Sequence, residues 1–360
     1  MLAKAALQPD PRYEFGYEEL LEMQRRDLAA SIRGDADREF DAMRRKQSVS
    51  PEFREMMRTE EAPLQAPVNL LVSDVRRAAE RLGSPLPVAF YAGAFPTGEY
   101  NALVEQTPDG PLVLINLGLM MKLHKLSKLF FHDIFTQGPP PGRGIPWPVI
   151  PERRRRLLRR IYTAYLPGGT ARAPRVPALS GEAGLLASTL TTCSEAFVMG
   201  HEAGHVVLGH LRSAPSGRVA VPGTAIGLTV HRPRKTQELE ADAFSARLMM
   251  AGSTPVRISA AVDQSPFQEM FWAGCWFFFL TAWSTVAVQA IWAGDKGSTP
   301  SDTHPPMQER LDRLGNILTT RGLPDSGPLT ATLHPWFMVV TAMVGASGPL
   351  ATPSEAFYEW

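Results

Sequence analysis

The sequence predicts an α+β fold that is mostly helical and carries one small β-sheet. Over much of the chain, apolar residues recur three and four positions apart, which is the spacing of the buried face of a helix. This pattern gives way to alternation from Pro87 to Leu117, where PVAFYAG and YNALVEQ precede the turn TPDG and the apolar run PLVLINL. We expect a strand followed by a β-hairpin there.

The composition is that of a folded protein without a strong bias in charge. The chain has 360 residues, 44% hydrophobic and 20% charged, which suits one large domain or two smaller ones. A net charge of +1 provides no general attraction to nucleic acid or to anionic membranes, so no nucleic-acid partner is predicted. Cys193 and Cys275 make neither a disulfide framework nor a C-x-x-C metal motif, and the N-terminus lacks the apolar core of a secretory signal. These features favour a cytoplasmic location, with a peripheral position at the membrane as the alternative.

The first part of the chain is predicted to be helical. Tyr13 to Thr59 combines charged residues with spaced apolar ones, which indicates about two amphipathic helices. Residues 1–62 therefore form an N-terminal helical region. A further helix is expected from Val68 to Leu82, and with the strands that follow it makes up region 63–131.

Residues 132–182 are predicted to be an insertion. The segment ERRRRLLRRIYTAYL lies between PPPGRGIPWPVIP and GGTARAPRVPALSGE. Flanks so rich in proline and glycine exclude regular secondary structure, so the insertion carries one basic helix. Its arginines, Arg153 to Arg156 with Arg159 and Arg160, could bind an acidic partner, but a solvated helix is the favoured interpretation.

The stretch from Thr191 to Arg212 contains the pattern H-E-x-x-H. Apolar residues at helical spacing, without proline, predict a helix on which His201 and His205 point to the same side and could bind one metal ion. Zinc is the metal that this pair favours. Glu202 lies one position round the helix, which suits a carboxylate that contacts water at the metal and not the metal itself. The alternative, two histidines packed in a core, fits this context less well.

Two glycines belong to the same helix. Gly200 and Gly204 each lower its stability by about 1 kcal/mol relative to alanine. Such a loss is expected where another backbone or a substrate approaches closely. We therefore expect tight packing against this part of the helix.

A hydrolytic zinc site needs a third protein ligand and an open position for water. His210 does not fit as that ligand, because it lies five residues beyond the second histidine and the extended motif requires six. The helix-forming segment from Lys235 to Met250 places Glu238 and Asp242 four residues apart on one face, with Glu240 pointing away from it. Glu238 can bind the metal, and Asp242 can accept the free N–H of a zinc-binding histidine. The alternative is an ordinary amphipathic helix.

The segments HEAGHVVLGH, ELEAD and SDTHPPMQERL, in this order, resemble the signature series of the HtpX-like gluzincin zinc metallopeptidases, the family that includes the CAAX prenyl proteases. The resemblance implies a zincin-like fold with its small sheet beside the H-E-x-x-H helix and one Zn²⁺ per chain. It makes Glu238 the third zinc ligand. It also implies that His304 stabilises an oxyanion and that Arg310 pairs with a carboxylate such as Asp242.

The resemblance extends to the predicted sheet. Asn101-Ala102 and Ile115 to Leu119 look like segments that precede the catalytic helix in that family. An edge strand there could pair with an extended substrate, and a sheet that only packs against the helix is an equal alternative. The chain departs from the membrane-embedded members of the family between the two motif helices, where SAPSGRVAVPGTAIGLTVHRPRK is expected to be a loop.

The stretch from Met270 to Gly294 contains twenty-five residues without a charge and is long enough to span a membrane. A single crossing would leave Glu238 and His304 on opposite sides of the bilayer, although the resemblance puts both in one site. We therefore favour a buried core helix over an interfacial or spanning one. His334 to Leu350, in the C-terminal region 322–360, is apolar, too short to span comfortably, and expected to pack beside the first segment.

Together these elements predict a zinc-dependent endopeptidase that acts on a peptide or protein. Residues 183–321 form its catalytic domain, with Glu202 as the general base and three metal ligands, His201, His205 and Glu238. One alternative is a regulatory protease of the ImmA/IrrE kind that cuts a repressor, because ELEADAFSA resembles the E-x-E-A-x-x-F-A segment of that group. The other is a non-catalytic scaffold that is stabilised by zinc and associated with a membrane.

Overall fold

The computed structural model of the chain describes most of the sequence between residues 62 and 348. The predicted helices between Tyr13 and Thr59 lie outside the described residues, and so does His304. The described ranges are 62–95, 100–107, 110–137, 150–165, 176–179, 181–212, 216–220, 227–231, 233–251, 265–292, 305–320 and 328–348.

Helices make up most of the described chain. They are α1 (Ala62–Arg81), α2 (Leu117–Gln137), α3 (Glu152–Ala164), α4 (Gly181–Val207), α5 (Lys235–Ala251), α6 (Ser265–Trp292), α7 (Met307–Thr319) and α8 (Pro328–Ser347), with a short 3₁₀ helix at His210–Arg212. The strands are β1 (Tyr91–Phe95), β2 (Ala102–Thr107), β3 (Gly110–Asn116), β4 (Ser216–Ala220) and β5 (Gly227–His231).

The first three strands form a small mixed sheet. β3 lies at its centre, parallel to β1 and antiparallel to β2. The side chains of β3 from Pro111 to Asn116 are all buried, which agrees with its continuous apolar sequence. The predicted strand and hairpin are therefore present, and a mostly helical chain with this sheet is an α+β arrangement, as predicted.

The interval between α4 and α5 differs from the prediction of a loop. It contains β4 and β5, which pair in antiparallel fashion with Ser216 opposite His231. Each strand is only five residues long, too short to stand out between a proline and several glycines. β5 lies beside β2 of the first sheet.

The helix with the H-E-x-x-H pattern, α4, lies at the centre of the fold. It packs against α2, α5 and α6, and also lies against β2 and β3. A Cβ atom on Gly200 would lie 2.6 Å from the Ser245 hydroxyl oxygen, and one on Gly204 would lie 3.1 Å from the Ala241 Cα atom. The tight packing predicted from the two glycines is therefore packing against α5.

The two apolar helices, α6 and α8, pack along each other. Trp272–Trp292 in α6 and Leu329–Ser347 in α8 are each long and apolar enough to cross a membrane. About half of each segment is nevertheless buried inside the protein, 50% of the first and 44% of the second. Polar side chains join the two helices, since the Thr341 hydroxyl donates to the Ser284 hydroxyl at 2.7 Å. Packing of α8 beside α6 was expected, but α8 begins at Pro328 and is longer than the prediction allowed.

The predicted basic helix is α3, and only one of its faces is solvated. Arg154 lies 3.3 Å from an Asp133 carboxylate oxygen, and Arg159 donates to the Gly348 carbonyl at 2.6 Å. The side chain of Arg156 is 70% exposed. Buried side chains cover the inner face of the helix, namely Leu158, Ile161 and Tyr162.

Candidate metal centre

The end of α4 determines where the two motif histidines lie. His201 and His205 are both buried and four residues apart on the continuous helix. The helix ends at Val207, and Gly209, two residues further on, has a φ of 72° that glycine readily adopts and that turns the chain back. The following 3₁₀ turn carries His210 to the side of His205 that faces away from His201.

Three side chains converge beside α4. The Nε2 atoms of His201 and His205 are 3.1 Å apart, and each lies 3.4 Å from an oxygen of Glu238. All three residues are buried, and their ligand atoms lie within 4.8 Å of one another. The structure thus brings together the three residues that the sequence predicted as ligands.

These donor atoms fit a zinc ion. Around a tetrahedral zinc with ligands at about 2.05 Å, neighbouring donor atoms are about 3.3 Å apart. The two histidine nitrogens are 3.1 Å apart, and each lies 3.4 Å from a different oxygen of Glu238, Oε2 for His201 and Oε1 for His205. Two ring nitrogens and a carboxylate are ligand types that zinc accepts. These three residues could therefore hold a metal ion, and zinc is among the metals that accept such donors.

Asp242 supports the first histidine from behind. Its Oδ1 atom accepts a hydrogen bond from His201 Nδ1 at 2.8 Å. Arg310 binds the same carboxylate with two hydrogen bonds, from Nε at 2.7 Å and from Nη2 at 2.6 Å. Although burial opposes it, the positive charge of Arg310 lowers the pKa of Asp242, which therefore stays ionised and able to accept.

Arg310 is held between two elements. Its guanidinium lies 4.5 Å from the centre of the Phe279 ring and 3.8 Å from a Glu238 oxygen. The structure thus brings Arg310 to the carboxylate that the resemblance suggested. His304 lies outside the described residues, so its role as an oxyanion donor stays a prediction.

The carboxyl group of Glu202 is poised for proton transfer. It is buried and has no hydrogen bond to any of the residues that the structure describes. Burial raises its pKa to about 7, and Glu238 adds to the rise while His201 opposes it. A carboxyl group with this pKa can accept and release a proton near neutral pH.

Sequence reasoning missed a further contact at this centre. His210 is not among the converging ligands, but its Nδ1 atom lies 3.0 Å from His205 Nδ1. Its Nε2 atom lies 3.1 Å from an oxygen of Glu240. The signal was Gly209, since a glycine just past a helix often turns the chain back on the helix end.

Comparison with known proteins bears on the same part of the chain. No curated protein and no solved structure matches it. Residues 165–326, less than half of the chain, match the family model of Peptidase U49. The matched part contains both motif helices and Arg310. The match indicates a peptidase family, without pointing to the HtpX-like gluzincins in particular, and it supports a proteolytic function.

Proposed function

We propose that this protein is a zinc-dependent endopeptidase with a zincin-like catalytic domain. The observation that carries the proposal is the convergence of His201, His205 and Glu238, whose ligand atoms lie within 4.8 Å of one another and are of types that zinc accepts. The match to a peptidase family supports hydrolysis of peptide bonds as the reaction. When bound, zinc supplies a Lewis acid that polarises a carbonyl group and acidifies water.

The protein's own residues manage the protons and the orientation of the ligands. Glu202 accepts a proton from the attacking water at its carboxylate oxygen and donates it to the nitrogen of the leaving amine. Asp242 keeps the Nδ1 proton on His201, which leaves its Nε2 lone pair free to bind the metal. Arg310 fixes the Asp242 carboxylate through two hydrogen bonds. We assign to His304, by the resemblance, stabilisation of the oxyanion.

The substrate is a peptide or protein. β2 is an edge strand of the three-stranded sheet and lies against α4. An extended peptide that paired with such an edge would lie beside a strand that contacts α4, the helix of His201 and His205. We therefore favour recognition of an extended segment by backbone hydrogen bonds.

The arrangement of α6 argues for a core helix and so for a cytoplasmic or membrane-peripheral protein. Asp242 precedes α6 in sequence and Arg310 follows it, yet their side chains are 2.6 Å apart. A single crossing of the bilayer by α6 would separate them. The buried hydroxyls of Thr281, Ser284 and Thr285 also suit packing inside a protein.

The general base is tested with Glu202→Gln. The amide keeps the shape of the side chain but cannot take a proton, so the variant is expected to bind zinc and to lose at least about 10²-fold in cleavage rate. Zinc is measured by elemental analysis, and cleavage by comparing new N-termini in a whole proteome treated with each protein. Glu182→Gln, at the exposed start of the same helix, is the matched control. Undiminished cleavage by Glu202→Gln, or by the chelated wild type, contradicts the proposal.

A further inference from the structure

The second motif histidine has a support of its own, which differs from that of the first. His205 Nδ1 lies 3.0 Å from His210 Nδ1, and His210 Nε2 lies 3.1 Å from a Glu240 oxygen. His205 and His210 are both buried, whereas the Glu240 side chain is 54% exposed. The three groups therefore form a chain from the buried cluster to the surface of α5.

The direction of the hydrogen bonds in this chain follows from chemistry. His205 Nε2 faces Glu238 and His201 and must present a lone pair to bind a metal, so its ring proton resides on Nδ1. That N–H donates to His210 Nδ1, which must then be unprotonated. The proton of His210 consequently resides on Nε2 and is donated to Glu240. A carboxylate accepts without donating, so the chain ends there.

The two histidines are thus oriented by different means. His201 donates directly to Asp242, a buried carboxylate that Arg310 also binds. Behind His205, the position that corresponds to this carboxylate is filled by a second imidazole, that of His210. The Gly209 turn is what makes this possible, because it brings His210 back against the helix that it has just left.

We propose that His210 is a positioning residue for metal binding, and that Glu240 acts through it. His210 holds His205 in the tautomer and orientation that present Nε2 to the ion, and Glu240 holds the complementary tautomer of His210. The inference rests on the proposed zinc site and goes beyond it, since neither residue is one of the three proposed ligands. Groups that orient metal ligands typically contribute 10- to 100-fold to affinity.

The test measures the zinc dissociation constant of the full chain by competition with a chromophoric chelator. His210→Ala is expected to weaken binding by about 10- to 100-fold. His210→Asn should restore most of the affinity, because its amide oxygen can accept the His205 proton. Glu240→Ala is expected to weaken binding by less than about 10-fold, since water can replace an exposed carboxylate.

A double variant separates the proposed chain from two independent effects. If Glu240 acts only through His210, then His210→Ala with Glu240→Ala binds zinc as His210→Ala does, and the two losses do not add. Additive losses would overturn the proposal. Urea unfolding of the metal-free variants checks for a merely structural role, with His334→Ala on α8 as the matched exposed histidine. Should His210→Ala fail to fold, Glu240→Ala and His210→Asn still decide the outcome.

The two levels of the argument fail in different ways. A wild-type chain that binds no zinc removes the proposed metal centre. A wild-type chain that binds zinc, with every variant binding equally well, removes the role of His210 and Glu240 and leaves the proposed function standing.

Discussion

Lys122 tests whether a charged group buried in the interior lowers the stability of this fold. Its ammonium group is buried, donates to the Thr285 hydroxyl at 2.6 Å and lies 4.2 Å from the centre of the Tyr162 ring. No acidic side chain among the residues that the structure describes pairs with it. Thr285 also donates to the Thr281 carbonyl, so it keeps a partner if the lysine is removed. Lys122→Met replaces the amine with an apolar side chain of similar length.

Burial sets the size and the pH dependence of the effect. It lowers the pKa of Lys122 from 10.5 to about 7. Below pH 7 both the folded and the unfolded chain carry the proton, and burying the charge costs the fold about 5 kcal/mol, at 1.36 kcal/mol per pKa unit. Above pH 10.5 both states are neutral and this cost vanishes. Because the variant also loses a hydrogen bond of about 1 kcal/mol, we expect it to be about 4 kcal/mol more stable than the wild type at pH 6.

The assay is urea unfolding followed by circular dichroism at pH 6 and pH 10. At pH 10 the two effects nearly cancel, so Lys122→Met should lie within about 1 kcal/mol of the wild type. Lys235→Met, at the exposed start of α5, is the control and should change stability by less than about 0.5 kcal/mol at either pH. A Lys122→Met variant that is less stable than the wild type at pH 6 would refute the reasoning, since the buried charge would then be a stabilising one.

Three further predictions concern α4 and α5. Burial raises the pKa of Glu195 from 4.5 to about 8, so the fold loses stability as the pH rises through this range. Glu195→Gln should match the stability of the wild type at pH 4 and exceed it by about 5 kcal/mol at pH 9, and equal stability at pH 9 would contradict this prediction. Gly204→Ala places a methyl group 3.1 Å from the Ala241 Cα atom, so it should lower the unfolding free energy by about 1–3 kcal/mol and also weaken zinc binding. Gly315→Ala is the control, because the space around Gly315 is open, and it should raise the unfolding free energy by up to about 1 kcal/mol. A gain in stability for Gly204→Ala as well as for Gly315→Ala would contradict the close packing of α4 against α5. Asp242→Asn leaves a buried arginine without its carboxylate and should lower the unfolding free energy of the metal-free chain by about 3–5 kcal/mol in urea, and a loss below about 1 kcal/mol would count against it.

The centre of the site could be predicted because its geometry is local. His201 and His205 are related by the period of one helix, so their convergence needs no knowledge of the fold. Glu238 and Asp242 are related in the same way on a second helix. The resemblance joined the two helices and suggested Arg310, and the structure has this arginine on Asp242.

The parts that were missed depend on the backbone between helices. The contact of His210 with His205 follows from the positive φ of Gly209, which the spacing of histidines does not reveal. The apolar segment was expected from His334, whereas α8 begins at Pro328 and continues through Pro335, a residue type that usually marks a helix boundary. The β4–β5 pair depends on partners brought together by the chain reversal and not on a strong pattern within either strand.

The segment ELEAD gives each of its three carboxylates a different task. Glu238 and Asp242, four residues apart, face α4, one toward the Nε2 atoms of the histidines and one behind His201. Glu240 lies on the far side of α5, and a ligand-first interpretation assigns it no role. It reaches the site only because His210 extends the support of His205 outward to it. The double substitution Glu240→Asp with Asp242→Glu is therefore expected to weaken zinc binding, because it alters the hydrogen bonds behind both His201 and His205 while the charge and composition of the helix stay the same.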